Sequence, residues 1–175
     1  MVYRNIFVTG EKGVGKSTIV AQVIEKLGMG SVGFRTLPYE IEGDRRGFYL
    51  SGLVEVGKYK NNTPISVMVG SERCVGITET FETLGVEVLA KSLVCEEVIL
   101  MDELGKLERH AEVFQDMVLR CLESERVVFG VLKQCESTFI QGIMQRADTK
   151  VFEVTKKNRE LIIAEIMASL GIKNT

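Results

Sequence analysis

Histidine and cysteine, the residues that build most zinc sites and many nucleophilic catalytic sites, are scarce in this sequence. The 175 residues include one histidine, His110, so a histidine-based zinc site or a Ser-His-Asp triad would depend on it alone. It follows Glu108 and Arg109 at a predicted helix start, a context that favours a solvated side chain. No CxxC or other metal-type spacing occurs, and we expect free thiols at Cys74, Cys95, Cys121 and Cys135.

Long apolar runs and an excess of one charge are also missing. No stretch approaches the roughly 18 apolar residues of a membrane span, and residues 1–8 are too short for the core of a signal peptide. The 22 lysines and arginines nearly balance the 24 aspartates and glutamates, which leaves a net charge of -2. Such a surface argues against bulk capture of nucleic acid or an anionic membrane. We expect a cytoplasmic monomer that binds neither nucleic acid nor a membrane.

The composition is that of a globular protein. Hydrophobic residues make up 45% and charged residues 26% of the chain, which is too apolar for a disordered protein. With 175 residues and no internal repeat, the chain is predicted to form a single domain, residues 1–175.

Strand-like apolar runs alternate with helix-like stripes along the chain. The runs predict strands at residues 3–9, 31–36, 98–101, 127–132 and 150–154. Stripes with the helical period predict helices at residues 19–27, 78–93, 112–123, 137–145 and 158–170. This alternation predicts a three-layer α/β protein, with a mostly parallel sheet between helices. On the last helix the predicted buried face is Ile163, Ile166, Met167 and Leu170.

Residues 40–70 depart from this alternation because they are rich in turn residues, including Gly-Asp-Arg-Arg-Gly at residues 43–47. Strands are predicted here at residues 48–50, 53–56 and 65–69. Their spacings are too short for parallel crossovers. We therefore expect an antiparallel hairpin insertion at approximately residues 40–70.

A complete phosphate-binding motif follows the first predicted strand. Residues 10–17, Gly-Glu-Lys-Gly-Val-Gly-Lys-Ser, match GxxxxGK[ST] at every fixed position and open an amphipathic helix. Backbone N–H groups of such a loop surround phosphate oxygens, and the helix N-terminus adds positive charge. Lys16 is predicted to reach the β- and γ-phosphates, and the Ser17 hydroxyl to ligate Mg²⁺. The predicted nucleotide contacts are Gly10, Glu11, Lys12, Gly13, Val14, Gly15, Lys16, Ser17 and Thr18.

A second magnesium anchor is predicted where the apolar run 98–101 ends in Asp102 and Glu103. Ligands of open α/β sheets bind at the carboxyl ends of strands, so both carboxylates are expected near the phosphate loop. Asp102 would hold Mg²⁺ together with Ser17, directly or through water. Glu103 would orient or deprotonate the water that attacks the γ-phosphate.

The Asp-Glu pair bears on the class of P-loop protein. It is typical of hydrolases with an extra strand between the phosphate-loop strand and the acidic strand. A GTPase is the competing interpretation, because residues 102–105 also satisfy DxxG and Thr36 lies at a switch-like distance after Ser17. The chain contains no NKxD sequence, the usual guanine reader, which argues against a GTPase.

Taken together, these motifs resemble those of the small P-loop nucleoside-triphosphatase family, which includes thermophile NTPases and the cancer-related nucleoside triphosphatase. The similarity covers nearly the whole chain. Its most specific part is the acidic stretch Asp-Glu-Leu-Gly-Lys-Leu-Glu at residues 102–108. Beyond that stretch and the phosphate loop, it is carried by residues 33–36, 43–48, 56–59, 152–155 and 158–159.

The resemblance implies a RecA-like P-loop NTPase fold with an antiparallel extension. It also implies slow, magnesium-dependent hydrolysis of ATP, GTP, CTP and UTP to the diphosphate and phosphate, with weak base selectivity. The chain departs from the family pattern after the strand at 127–132, where a polar residue, frequently histidine, is replaced by Lys133. A residue at that position would be placed to sense the γ-phosphate.

Arginines are candidates for stabilising charge on the transferring phosphate. Arg35 is the first candidate because it ends a predicted strand where the sheet faces the nucleotide. The tandem pair Arg45-Arg46 is the second, and Arg73 and Arg146 are further candidates.

The base is predicted to lie beside the segment that follows the last strand. Thr155 and Asn158 are the predicted base contacts there, and both residue types are also ordinary helix caps. A stacking or backbone contact would read little of the base edge, which agrees with weak selectivity. Three aromatic residues of the hairpin region are candidates for shielding the site: Tyr39, Phe48 and Tyr59.

Three functions fit this sequence, and hydrolysis of nucleoside triphosphates is the leading one. A kinase that transfers the γ-phosphate to a nucleotide or other small molecule would need a second pocket, between residues 40–70 and the helix at 78–93. A non-enzymatic nucleotide-binding module is the third. Glu103 argues against it, because a sensor needs no water-orienting carboxylate.

Overall fold

The computed structural model describes residues 2–171, which form a seven-stranded sheet with helices on both faces and a separate two-stranded hairpin. The strands are β1 (Asn5–Thr9), β2 (Ser31–Ile41), β3 (Asp44–Gly52), β4 (Thr63–Pro64), β5 (Ser66–Val69), β6 (Arg73–Gly76), β7 (Val98–Leu104), β8 (Val128–Leu132) and β9 (Thr149–Glu153). The helices are α1 (Lys16–Leu27), α2 (Thr78–Thr80), α3 (Val86–Ser92), α4 (Glu112–Glu123), α5 (Thr138–Met144) and α6 (Arg159–Ser169). A π-helical segment (Phe81–Gly85) joins α2 to α3.

The large sheet has the strand order β4-β3-β2-β7-β8-β1-β9. Strands β2, β7, β8, β1 and β9 are parallel to one another, and β3 and β4 add antiparallel pairs beside β2. β8 separates the phosphate-loop strand β1 from the acidic strand β7, as the Asp-Glu pair predicts. The predicted α/β class, with a mostly parallel sheet and an antiparallel extension, is confirmed.

Alternation along the central strands divides the core between the two faces of the sheet. On β1, Phe7 belongs to the apolar cluster that includes Phe114 of α4. Its neighbours Ile6 and Val8 belong to a second cluster, which includes the buried residues of α1 and α6. All of β1 is buried, as expected for a parallel strand covered by helices on both sides.

The hairpin extension begins earlier than predicted, because β2 continues past residue 36 and folds back into β3. Glu42 (φ 54°) and Gly43 (φ 84°) form the turn between them. Positive φ at both positions is the geometry of the tight turn whose twist matches that of paired strands. The hairpin therefore extends β2 and β3 beyond the carboxyl end of β7.

The strand predicted at residues 53–56 is wrong. Residues 53–62 form an irregular segment whose apolar side chains pack against the core. Side-chain groups hold its backbone in place of a neighbouring strand, and the carboxylate of Glu87 accepts hydrogen bonds from three successive N–H groups, at residues 57–59. The predicted strand at 65–69 corresponds to β5.

The helices agree with the prediction except in three details. The single helix predicted at residues 78–93 is divided into α2 and α3 by the π-helical segment Phe81–Gly85. α4 spans the predicted residues 112–123, but α1 begins at Lys16 because the phosphate motif opens directly into it. On the last helix, Ile162 is buried, whereas Ile163 and Leu170, both predicted to be buried, are only half-buried. Within residues 2–171, every helix is too short or too polar to cross a membrane.

Candidate active site

The phosphate motif forms a tight loop between β1 and α1. Gly10 and Gly15 have φ values of 142° and 103°, which residues other than glycine rarely adopt. A Cβ at Gly10 would collide with the carbonyl oxygen of Val154, so the loop lies directly against the chain after β9. Gly15 precedes the first residue of α1, and the free N–H groups of that helix end therefore point into the loop.

Lys16 is held with its ammonium group against the loop. Its Nζ donates hydrogen bonds to the carbonyl oxygens of Gly10 and Glu11, at 2.7 and 2.8 Å. A cavity of about 590 Å³ opens above the loop. Its wall contains most of the predicted phosphate contacts together with Arg45, Phe48, Glu103, Lys133 and Gln134.

Two predicted nucleotide contacts point elsewhere. The side chain of Val14 is buried in the core between the sheet and α1, so only its backbone is available to a ligand. Thr18 lines a different cavity, a groove between α1 and α6. The remaining residues of the motif, from Gly10 to Ser17, line the phosphate-loop cavity.

β7 carries the acidic pair farther along the strand than predicted, because it ends at Leu104 instead of residue 101. Asp102 is paired in register with Arg35 of β2. Burial is the main cause that raises the pKa of the Asp102 carboxyl, and the nearby charge of Glu103 raises it further. The cations of Arg35 and Lys16 act in the opposite direction. Asp102 thus lies within a compact group of charges that joins β2, β7 and the phosphate loop.

Glu103 turns its carboxylate towards the phosphate loop. It lines the same cavity as Lys16 and Ser17, and about one third of its side chain (33%) is exposed. Its backbone N–H donates to the hydroxyl of Thr36, at 3.3 Å. A partly exposed carboxylate therefore faces the same open cavity as the phosphate loop, where water has access to both.

Lys133 joins the carboxyl ends of β7 and β8. Its backbone N–H donates to the carbonyl of Leu104 at 2.9 Å, and its Nζ lies 3.8 Å from Oε1 of Glu103. Its aliphatic chain passes over Gly105, where a Cβ would lie only 3.1 Å from that of Lys133. The structure therefore brings Lys133, the residue that departs from the family pattern, next to Glu103, the residue predicted to activate water.

The last residue of the acidic stretch is a buried carboxyl that sequence reasoning assigned no role. Glu108 is 2% exposed, and its Oε1 accepts a hydrogen bond from the backbone N–H of Gly105. Burial, opposed mainly by that hydrogen bond, raises the pKa of Glu108 to about 7. Its carboxyl closes the turn that directly follows β7 and Glu103, and the glycine-x-x-glutamate spacing is the signal for it.

The predicted arginines fall into different environments. Arg35 lies beside Asp102, its Nε has no hydrogen-bond partner among the described residues, and it does not line the phosphate-loop cavity. Arg45 does line that cavity, with its guanidinium 5.7 Å from the ring centroid of Phe48. Arg46 forms an ion pair with Asp44 at 3.5 Å. Arg146 forms ion pairs with Asp148 and Glu123, and Arg73 lines a different cavity, beside Arg109 and His110.

The two predicted base contacts build the turn between β9 and α6. Oδ1 of Asn158 accepts from the N–H of Thr155, and its Nδ2 donates to the carbonyl of Glu153, both at 2.8 Å. Both polar atoms of the Asn158 amide are therefore used in hydrogen bonds within this turn. The next residue, Arg159, reaches back towards the phosphate loop beside Gly15.

The protein donors suit a magnesium ion that is shared with phosphate. In the described part of the chain, no cluster of three or more His, Cys, Asp or Glu residues could hold a metal by itself. Mg²⁺ prefers hard oxygen ligands and commonly uses one or two protein groups together with substrate phosphates. The Ser17 hydroxyl and the Asp102 carboxylate are donors of this kind.

Comparison with known proteins agrees with the motifs. A family model described as NTPase matches residues 5–167. Nucleoside-triphosphatase THEP1 of Methanosarcina barkeri (strain Fusaro) is 34% identical, over 89% of this chain and 90% of the relative. The same-named protein of Thermotoga sp. (strain RQ2) is 30% identical over 94% of both chains, and the cancer-related nucleoside-triphosphatase homolog of Mus musculus is 30% identical over 98% and 99%.

Two solved structures share the fold. The crystal structure of THEP1 from Aquifex aeolicus superposes with a TM-score of 0.72 at 27% identity, covering 95% of this chain and 98% of that one. The solution structure of a human cancer-related nucleoside triphosphatase gives 0.74 at 27% identity, covering 98% and 100%. The matched region includes the phosphate loop and the acidic stretch, and the chain belongs to the NTPase family.

Proposed function

We propose that the protein hydrolyses nucleoside triphosphates to the diphosphate and phosphate in a magnesium-dependent reaction with weak base selectivity. The observation that carries this proposal is that the carboxylate of Glu103 lines the same cavity as Lys16 and the phosphate loop. The names of the relatives, which describe nucleoside-triphosphatases, support the same reaction.

The phosphate loop and Lys16 bind the β- and γ-phosphates. The loop contributes backbone N–H groups, and Lys16 contributes a charge that can move from the carbonyls of Gly10 and Glu11 to the phosphates. Ser17 and Asp102 would hold Mg²⁺, which when bound neutralises phosphate charge and fixes the orientation of the γ-phosphate.

Glu103 acts on the attacking water. As the water oxygen forms its bond to the γ-phosphorus, the carboxylate accepts the water proton, and the bond to the β–γ bridging oxygen breaks. The bond electrons leave with the nucleoside diphosphate. Lys133, 3.8 Å from Glu103, holds this carboxylate in place and adds positive charge beside the γ-phosphate position.

Arg35 and Arg45 have separable roles in this proposal. Arg35 was the first candidate for stabilising transferred charge, and its cation lowers the pKa of the Asp102 carboxyl. Its contribution is to keep Asp102 ionised for the metal. Arg45, in the wall of the phosphate-loop cavity, is the arginine better placed to meet charge on the γ-phosphate.

A phosphoryl-transfer activity is the second candidate. The pocket expected between residues 40–70 and the helix at 78–93 measures only about 40 Å³. A larger open cavity of about 940 Å³ adjoins the phosphate-loop cavity at the tip of the hairpin. Its basic lining residues, which suit an acceptor that carries phosphate, are Lys12, Arg45, Arg46, Lys106 and Lys133.

Phosphate release from ATP, GTP, CTP and UTP, with Mg²⁺ and with a chelator, tests the proposal. We expect release from all four nucleotides at similar rates, and its loss with the chelator. A nucleoside monophosphate added to the same assay distinguishes the second candidate, since transfer would yield a new diphosphate and reduce free phosphate. Binding without release from any of the four would contradict the proposed hydrolysis.

A further inference from the structure

Glu103 lines two cavities, and Lys133 accompanies it in both. The first is the phosphate-loop cavity. The second, of about 40 Å³, is also lined by Glu108, which does not line the first, and we call it the Glu108 cavity. Glu103 therefore stands between the proposed reaction site and a buried carboxyl.

The Glu108 cavity has the size and the polar groups to hold a confined water molecule. A buried water needs a space of roughly 30 Å³ and about two to four hydrogen-bonding partners. Polar side chains in the wall supply these partners: those of Thr36, Glu103, Glu108 and Lys133. Apolar side chains in the same wall shield the water from bulk solvent: those of Phe48, Ile65, Phe81 and Leu107. The cavity thus offers a proton a path between two carboxyls.

Glu108 is fixed in place by hydrogen bonds at both its backbone and its side chain. Its carbonyl accepts from the backbone N–H of Ala111 and from the side-chain amide of Gln115, both at 2.9 Å. Its Oε1 accepts from the N–H of Gly105. Because Oε1 is an acceptor in that bond, a proton added to this carboxyl belongs on Oε2.

The surroundings of Glu108 give it a proton affinity suited to neutral pH. Burial raises its pKa to about 7, against the hydrogen bond from Gly105, and the charge of Glu103 raises it further while that of Lys133 lowers it. A carboxyl with such a pKa both accepts and releases a proton near pH 7. The other titratable groups close to it are the side chains of Lys106, Cys74 and Cys135.

We propose that Glu108 accepts, through water in the Glu108 cavity, the proton that Glu103 removes from the attacking water. This inference rests on the proposed function, because it concerns the proton of the same reaction. A nucleotide at the loop occupies the phosphate-loop cavity and separates protonated Glu103 from bulk water on that side. The Glu108 cavity provides the other side.

The transfer conserves protons and electrons. The O–H bond of protonated Glu103 breaks as its proton moves to the confined water, and an O–H bond of that water breaks as its proton moves to Oε2 of Glu108. Glu103 returns to its carboxylate form, and Glu108 becomes neutral. After phosphate has left, the reverse transfer returns the proton to Glu103 and through the open cavity to solvent.

Glu108→Gln separates this role from that of closing the turn. The amide oxygen still accepts from the N–H of Gly105, but the side chain cannot take a proton. In a single turnover at about pH 8, the variant should cleave the γ-phosphate of ATP on the order of tenfold or more slowly, with ATP affinity within about twofold. The wild-type rate should fall as the pH decreases through about 7, because only ionised Glu108 accepts the proton, and the variant should lack this fall.

Two further variants control for charge and for structure. Glu112→Gln neutralises an exposed carboxylate at the start of α4 and should match the wild type in rate and in pH profile. Glu108→Ala removes the acceptor of the Gly105 N–H and should lower the melting temperature. Glu108→Gln should melt at or above the wild-type temperature, because it keeps that acceptor and removes a charge that burial disfavours.

An infrared titration detects the proton on Glu108 without any turnover. The wild type at about pH 6 should show the absorption band of a protonated carboxyl, and this band should disappear with a midpoint near pH 7. Glu108→Gln should lack the band, and Glu112→Gln should retain it.

Three results would overturn the transfer to Glu108. The first is a wild-type rate and pH profile in Glu108→Gln. The second is an equal loss of rate, ATP affinity and melting temperature in Glu108→Gln and Glu108→Ala, which would show a structural role. The third is the absence of a band that titrates near pH 7 and is lost in Glu108→Gln. Each of these leaves hydrolysis by the wild type intact, whereas a wild type that releases no phosphate would refute the proposed function itself and the transfer with it.

Discussion

The ammonium nitrogen of Lys133 lies 3.8 Å from Oε1 of Glu103, at the junction of β7 and β8 and in the wall of the phosphate-loop cavity. The buried carboxyl of Glu108 fixes the turn that follows β7, through its hydrogen bond to the N–H of Gly105. Glu103, the proposed general base, thus has a cation beside it and a fixed turn two residues after it. This arrangement leads to a test that separates binding from chemistry.

Glu103→Gln should reduce kcat by about a hundred- to ten-thousandfold, the usual contribution of a general base. The glutamine can still hydrogen-bond a water but cannot accept its proton. Affinity for nucleoside triphosphate, measured by calorimetry, should change little, because the loop, Lys16, Ser17 and Asp102 make the ground-state contacts. Near wild-type turnover in this variant would reject Glu103 as the general base, but it would not affect the assignment of the loop as the phosphate-binding site. A DxxG GTPase would show that result, and a kinase would retain transfer while losing background hydrolysis.

Lys16→Ala should abolish nucleotide binding or turnover, because it removes the mobile charge nearest the bond between the β- and γ-phosphates. Steady-state phosphate release and calorimetric affinity are the measurements. An unchanged melting temperature would show that the variant is folded. Hydrolysis at the wild-type rate would show that the loop does not bind the phosphates during catalysis.

Asp102→Asn should raise the Mg²⁺ concentration needed for half-maximal activity, because an amide oxygen is a weaker ligand than a carboxylate. A magnesium titration of phosphate release measures this midpoint. The neutral side chain also removes a charge that burial disfavours. The variant should therefore be at least as stable to heat as the wild type, and an unchanged midpoint would remove Asp102 from the neighbourhood of the metal.

Local motifs predict this site better than they predict the chain around it. The phosphate loop and the Asp102-Glu103 pair follow from short spacings, and the structure places both at the carboxyl edge of the sheet. The irregular segment after β3 could not be predicted, because residues 53–56 alternate like a strand while groups distant in sequence hold the segment's backbone. Lys91 donates to the carbonyl of Glu55, and Glu87 accepts from the N–H groups at residues 57–59. The α1–α6 groove depends on a rotation of α6 that exposes Ile163, which tertiary packing decides.

Glu87 should make the protein less stable in acid. Its carboxylate accepts N–H bonds from Gly57, Lys58 and Tyr59, and the bond from Gly57 is the largest cause that lowers its pKa from 4.5 to about 2. Since the unfolded chain binds this proton more readily, the stabilisation is complete above pH 4.5 and is lost as the pH falls towards 2. Glu87→Gln should lower the melting temperature at pH 7 and flatten its decline between pH 4.5 and 2. Glu55→Gln, an exposed carboxylate of the same segment, should behave as the wild type.

Arg45 and Arg35 should differ in the step that they affect. Arg45→Ala should reduce kcat by about a thousandfold, within the range of arginines that neutralise a transferring phosphate, with a small change in nucleotide affinity. Added guanidinium ion should restore part of the activity, because the cavity wall is open at this position. Arg46→Ala removes the neighbouring arginine, which lies outside the phosphate-loop cavity and pairs with Asp44, and should stay within about twofold of wild type.

Arg35→Ala should act through Asp102. The Arg35 cation lowers the pKa of the Asp102 carboxyl, so its removal leaves that pKa higher. The acidic limb of the pH–activity profile should move to higher pH, and the Mg²⁺ midpoint at neutral pH should rise. Guanidinium ion should give no rescue, because the Nε of Arg35 is buried and Arg35 lies outside the open phosphate-loop cavity. If Arg35→Ala instead lost kcat at every pH and was rescued by guanidinium while Arg45→Ala was not, Arg35 would be the arginine at the phosphate. The pH profile and the rescue together therefore assign the transition-state charge to one of the two residues.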